Sequence, residues 1–244
     1  MLFKTLSASV YGIDAYLVEV EVDVGSARMT DFNVVGLPDN AVKESRERIK
    51  AALRNCEYEF PYGQGVTINL APADVRKEGS GFDLPMALGL TGCMGQFFGK
   101  QLDKCMFLGD LSLDGSVRPV RGALSAALAA REVGLKSVAV PEANAKEAAV
   151  VEGVDVFALK SLPQAVDLVN LPESFAPVRV DARQMLSEAA VFAWTCATCT
   201  DNRPPSAHWR SRGPRFAEDT TVRRFANRSI DSVSVAMLPI MRSY

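Results

Sequence analysis

The chain changes character near residue 192, and that seam limits what can fold. From Met1 to Phe192 there are 19 Lys+Arg against 25 Asp+Glu, a net of −6; from Ala193 to Tyr244 there are 8 Arg, no Lys and 4 acids, a net of +4. Both tryptophans and the only histidine fall in the second part. That part shows neither the 3.6-residue period of a helix nor the 2-residue period of a strand over a useful length. A core has to come from the first part.

There the pattern is readable. AYLVEVEVDV (15–24) alternates like a half-buried strand, and TDFNVVGLPD suggests a strand ending in a Gly and Pro turn. Asn40 is placed to cap AVKESRERIKAALRNC, whose Val42, Ile49, Ala52, Leu53 and Cys56 form one apolar stripe. VTINLAP reads as a strand and FDLPMALGLTGCMG as a mostly apolar helix with proline in its first turn. MFLGDLSLDGSVRPVRG reads as two short strands around Asp114-Gly115, the strongest hairpin turn signal in the chain. GALSAALAAREVG and EANAKEAAVVEG read as helices closed by Gly134 and Gly153, SVAVP and DVFALK as strands, and SLPQAVDLVN as a last helix. Strands come first and then alternate with helices. The order predicts an α+β domain of about 170 residues, a mixed sheet with helices mainly on one face.

Composition narrows the function classes. With 48% hydrophobic residues, 23% charged and a net charge of −2, the chain announces no polyanion partner by its overall charge. No apolar run approaches the roughly 20 residues of a membrane span, and the opening MLFKTLSASVYGID lacks the apolar stretch of a signal peptide. A cytoplasmic protein without a membrane partner is expected. Five cysteines at irregular spacings argue for reduced thiols, with Cys56, Cys93 and Cys105 as small buried hydrophobes. Cys196 and Cys199 form a lone C-x-x-C whose nearest further ligand candidate is His208, and without a second pair they read as incidental. No metal, cofactor or small-molecule substrate is indicated.

The stretch VRKEGSGFDLPMALG (75–89) carries the main question of chemistry. A charged, glycine-rich turn feeding an apolar helix can cradle a phosphate, hold a catalytic hydroxyl, or turn a corner. Ser80 reads as a helix N-cap or turn residue, with a nucleophile as the alternative. Asp83 can bond free main-chain N–H groups of the first helical turn. Gly79 and Gly81 suggest backbone angles that other residues avoid. Arg76, Lys77 and Glu78 make a charged loop, either a solvated surface or a partner or DNA contact.

Three stretches, NVVGLPDNAVKESRERIKAAL, APADVRKEGSGFDLPMALG and FLGDLSLDGSVRPVRGALSAALAAR, resemble the N-terminal domain of ComM-type (YifB-type) magnesium-chelatase-like AAA+ ATPases. The likeness runs from about Phe3 to Asn170. It implies the ribosomal protein S5 domain 2-like fold, shared with the Lon protease domain, and a family role in ATP-driven DNA remodelling, branch migration during uptake of transforming DNA, by a hexamer. A Lon-type site would use a serine on the turn before the helix at 82–92 and a lysine at the start of the helix at 122–133. The serine position falls at Gly81, with Ser80 one place early, and the lysine position at Leu124. The nearby cations are Arg118 and Arg121, and a guanidinium is no base near neutral pH. The resemblance therefore implies a domain without the Ser-Lys dyad. Its expected roles are self-association or DNA contact within a ring, through Arg76, Lys77, Arg118 and Arg121. Two alternatives stand beside it: a Lon-like serine hydrolase using Ser80 with an unconventional base, and a magnesium-chelatase subunit fragment.

Family members continue into an ATPase module with a G-x-x-x-x-G-K-[ST] loop, whose backbone amides wrap the phosphates. No such string occurs here, so ATP and magnesium are expected only for a full-length member. Codons that can encode Thr198 to Arg212, read from their third base, can spell V-H-G-Q-P-T-A-K-R-A-L-E-I-A. That resembles the family segment leading into the ATPase module. The expected organisation is a domain over 1–172, a linker over 173–192, and a disordered, out-of-frame tail over 193–244.

Overall fold

The computed structural model describes residues 1–25, 32–75, 77, 79–97, 102 and 104–180. The expectations for 181–192, for the tail, and for Cys196, Cys199 and His208 lie outside the described residues.

The chain opens with a long antiparallel hairpin, β1 (Leu2–Tyr11) and β2 (Asp14–Gly25), paired from Leu2↔Asp23 to Tyr11↔Asp14. The remaining strands of the main sheet are β3 (Phe32–Val35), β4 (Gly65–Ala71), β5 (Cys105–Phe107), β8 (Ser137–Pro141) and β9 (Asp155–Leu159). A separate hairpin is made by β6 (Asp110–Leu111) and β7 (Val117–Arg118). Five helices complete the described residues: α1 (Asn40–Asn55), α2 (Asp83–Cys93), α3 (Ala123–Glu132), α4 (Glu142–Ala148) and α5 (Leu162–Asn170). The seven-stranded sheet has the order β3-β4-β2-β1-β5-β8-β9. It is mixed: β1 and β4 run antiparallel to β2, whereas β3-β4, β1-β5, β5-β8 and β8-β9 are parallel.

Side chains alternate across each strand, and the sheet separates two apolar layers. Val18, Val20 and Val22 of β2 and Ile68 and Leu70 of β4 pack with α1, α2 and α5 in one layer. Met106 of β5 and Val138 and Val140 of β8 face the other way, onto the alanine-rich faces of α3 and α4. Phe107 and Ala139, one residue along, return to the first layer. Three of the five described helices thus share one face, and the expected α+β mixed sheet is present. No helix among the described residues is long and apolar enough to cross a membrane.

β1 is the element the sequence concealed. Its buried positions include Thr5, Ser7 and Ser9, so the polarity pattern is inverted relative to a usual half-buried strand. The small side chains serve the approach of α2, every residue of which is buried. A methyl group built on Gly89 would come within 2.5 Å of Val22 Cγ2, and one on Gly92 within 2.6 Å of the Phe3 ring. Thr5 Oγ1 donates to the Pro85 carbonyl at 3.1 Å, tying strand to helix.

Local signals held elsewhere with small shifts. The β6-β7 hairpin turns at Gly115, whose φ is +82°. The cap of α1 is Asp39, not Asn40: Asp39 keeps extended backbone and accepts from Val42 N at 2.8 Å, while Asn40 is already helical. α4 ends at Ala148, before the expected stop at Gly153. The compact unit extends to Val180. Past residue 172, Phe175 packs on the first core, Val178 N donates to Val156 O at 2.8 Å, and Arg179 pairs with Asp155 at 3.2 Å.

Candidate functional site

The turn before α2 lines a cleft of about 640 Å³ between the end of β1, residues 79–82 and residues 119–121. Ser80 and Arg121 both face it, with Asp39, Val10 and Phe82 among the other walls. Asp39 fixes the turn in place. One of its carboxylate oxygens accepts from Val42 N, and the other accepts from Gly79 N at 3.0 Å. Both oxygens are thereby engaged by main-chain amides. Gly79 needs its φ of +86°, which a side chain would strain.

Several expectations for this turn are corrected. Ser80 does not cap α2: the position before the helix is Phe82, which makes no side-chain capping bond. Main chain does that work, with Asp83 N donating to Ser80 O at 3.1 Å and Leu84 N to Gly109 O at 3.0 Å. Gly81 is not in the left-handed region, and a methyl group there would meet only Val120 Cγ1 at 3.7 Å, an ordinary contact. Its lack of a side chain leaves space in the cleft and is not demanded by the backbone.

Asp83 does not bond the helix amides either. It is fully buried and joins α2 to α1: Ser45 Oγ donates to Oδ1, Arg48 Nε donates to Oδ2 at 2.6 Å and Arg48 Nη2 to Oδ1 at 3.2 Å. Arg48 also lies 3.7 Å from Asp110 of β6 and donates to the Ala41 carbonyl at 3.2 Å. Burial pushes the Asp83 carboxyl up to about 6, against the lowering effect of Arg48 and Ser45. The pairing behind the turn was not foreseen. Arg48 and Asp83 are 35 residues apart in sequence, with only Arg48's place beside the apolar stripe of α1 as a hint.

The four expected contact residues separate. Arg118 and Arg121 are exposed, Arg118 donating to Ser112 Oγ at 2.9 Å. Arg76 lies outside the described residues. Lys77 is fully buried and its ammonium donates to the Pro72 carbonyl, so it presents no charge at the surface. Burial pushes its pKa down, with Asp74 pulling the other way. The expectation of Lys77 as a surface contact does not match this placement. Its backbone instead bridges to the segment before α1, Lys77 N donating to Leu37 O at 3.2 Å.

Leu124, at the second position of α3, is half-buried against the second core, and its amide donates to Glu147 Oε1 at 3.3 Å. Among the described residues that line the cleft, the cation is Arg121. Cys93 and Cys105 are buried, with their thiols pushed up by burial to about 11 and about 12, as inert small hydrophobes should be. Among the described residues no group of three or more His, Cys, Asp or Glu side chains is placed to hold a metal ion.

The site sits on an α+β scaffold, a mixed sheet with a glycine-serine-glycine turn feeding a wholly buried helix. The family described as "ChlI: Subunit ChlI of Mg-chelatase" matches residues 18–144, and the chain belongs to it. An uncharacterized protein of Mycobacterium tuberculosis is 40% identical over 161 residues, 66% of this chain and 32% of its own length. Competence protein ComM of Haemophilus influenzae is 34% identical over 180 residues, 74% of this chain and 34% of its own. Lon protease 2 of Bacillus subtilis is 25% identical over 193 residues, 71% of this chain and 34% of its own. The chain spans about a third of the length of these curated relatives.

Proposed function

We propose that the described domain is a non-catalytic interaction domain of a ComM-type protein, serving DNA remodelling by contact and not by chemistry. The observation that carries this reading is the cleft. Ser80 lines it, and the cation among its described lining residues is Arg121, whose guanidinium takes no proton near neutral pH; Leu124, where the resemblance would put a Lon-type lysine, packs against the second core. Asp39, the carboxylate of the cleft, is engaged on both oxygens by the amides of Val42 and Gly79. Nucleophilic catalysis by serine depends on a neighbouring base. Similarity to competence protein ComM supports the DNA role.

The test is a pair of measurements on the purified chain. With magnesium and ATP no turnover is expected, and a gel-shift with single- and double-stranded DNA is expected to show binding that weakens as salt rises. ATP hydrolysis at an ordinary rate, or no shift of either DNA at about 50 mM salt, counts against the reading. The serine hydrolase alternative draws on the similarity to Lon protease 2 and on the position of Ser80 in the cleft. It makes a separate prediction, taken up below.

A further inference from the structure

A second hollow lies away from the cleft, where α1 passes the edge strand β3 and the loop before β4. It encloses about 240 Å³. Two cations of α1 enter it, and each already rests on an aromatic ring: the Arg46 guanidinium lies 5.7 Å from the centre of Phe32, and Lys50 Nζ 5.6 Å from that of Tyr62. Tyr62 is 61% exposed and is held edge-on by Phe60, with ring centres 5.2 Å apart. Gln64 adds an amide to the wall. Arg46 Nε is buried and donates to no hydrogen-bond acceptor, the nearest carboxylate being Glu47 at 3.6 Å. A buried guanidinium N–H without a partner is costly, and an anionic oxygen would relieve it.

The hollow is part of a longer cationic face. Lys43, Arg46, Lys50 and Arg54 are spaced three, four and four residues apart along α1, which puts them on one side of the helix over about 16 Å. Of the two acids between them, Glu47 lies on that side and Glu44, one residue after Lys43, lies about 100° around the helix. A row of cations beside an exposed ring, with a buried N–H that lacks a hydrogen bond, matches the needs of a polymer that alternates phosphates with flat bases. An acidic peptide would use the cations but leave Tyr62 unused.

We infer that the Lys43-Arg46-Lys50-Arg54 face of α1, with Tyr62 as its stacking platform, binds single-stranded nucleic acid. This inference rests on the DNA-contact reading above and assigns it a surface, distinct from the cleft of Ser80 and Arg121.

The test uses the full chain and a fluorescently labelled 20-nucleotide oligothymidylate, with binding followed by anisotropy across several salt concentrations. Arg46→Ala with Lys50→Ala should weaken binding at least tenfold and flatten the log-log salt slope by about 1.4, the loss of two phosphate contacts. Tyr62→Ala, at a largely exposed position, should weaken binding about fivefold or more and leave the slope unchanged. Lys136→Ala with Lys146→Ala removes the same charge at exposed positions elsewhere and should leave binding within about twofold of wild type. Melting curves confirm that each variant folds.

Oligonucleotide binding that survives both the α1 and the Tyr62 changes overturns the assigned surface while the DNA reading stands. Loss through Lys136 and Lys146 alone overturns it in the same way. A duplex of the same length bound more tightly than the single strand overturns the stacking role. No binding by the wild-type chain at about 50 mM salt removes the surface and the DNA reading together.

Discussion

Asp83 sits at zero exposure as a carboxylate because Arg48 and Ser45 meet both of its oxygens. Removing one partner of such a pair strands the other, so Arg48→Ala should lower stability by about 3–5 kcal/mol in chemical denaturation. The carboxyl also sets a pH window. Its folded-state pKa of about 6 lies above the ordinary 3.8, so between those values the folded chain holds a proton that the unfolded chain releases. Stability from this group is therefore greatest below about pH 4, falls as pH rises to about 6, and is flat beyond, a span on the order of 3 kcal/mol. Carbon-detected NMR of the Asp83 carboxyl should show a midpoint near 6, and Asp83→Asn should abolish that slope; a midpoint near 4 would contradict it. The glycines of the turn give a paired prediction. Gly81→Ser meets only an ordinary contact with Val120 and should change stability by less than about 0.5 kcal/mol, whereas Gly79→Ser, at φ +86°, should cost about 1–2 kcal/mol. In the sequence, Ser80 and Gly79 marked the turn, and Cys93 and Cys105 were legible as core. The roles of Asp39 and Asp83 were not, because each bonds groups brought near by tertiary folding, Gly79 and Arg48 in turn.

Among the elements, those with a strong local signal were legible and those defined by a neighbour were not. β8 over Ser137–Pro141 and the Asp114-Gly115 hairpin follow from apolar patterning and turn chemistry alone. β1 was hidden because Thr5, Ser7 and Ser9 occupy buried positions, chosen for their size beneath α2. α2 itself carries glycine at positions where helix propensity would favour alanine. The contacts reverse that preference. Gly89→Ala, normally a gain, should here destabilise by about 1–3 kcal/mol because its methyl would press on Val22 at 2.5 Å. Thermal or denaturant unfolding of the single variant decides it; a stability equal to or above wild type would mean that α2 is not so closely seated. The capping shift from Asn40 to Asp39 belongs at this scale too. Adjacent Asp and Asn are near-equal caps, and only the second bond from Gly79 to Asp39 distinguishes them.

At the scale of the whole molecule, the mixed sheet does two separate jobs. Its β1 end and the loops at 79–82 and 119–121 shape a cleft with a hydroxyl, while its β3 edge carries α1 and a cationic face. The two surfaces use different residues, so changes in one should leave the other's readout intact. The expected seam near residue 192 lies outside the described residues, while the packed chain continues through Val178 and Arg179 because Val156 and Asp155 of β9 hold it there. The proposed function turns on a cleft that carries out no serine chemistry. Its most direct measurement is intact-mass spectrometry of the wild-type chain and of Ser80→Ala after incubation with a serine-directed fluorophosphonate at neutral pH. An unmodified mass for both proteins is the expected result; a stoichiometric adduct on the wild type that disappears in Ser80→Ala would contradict the account.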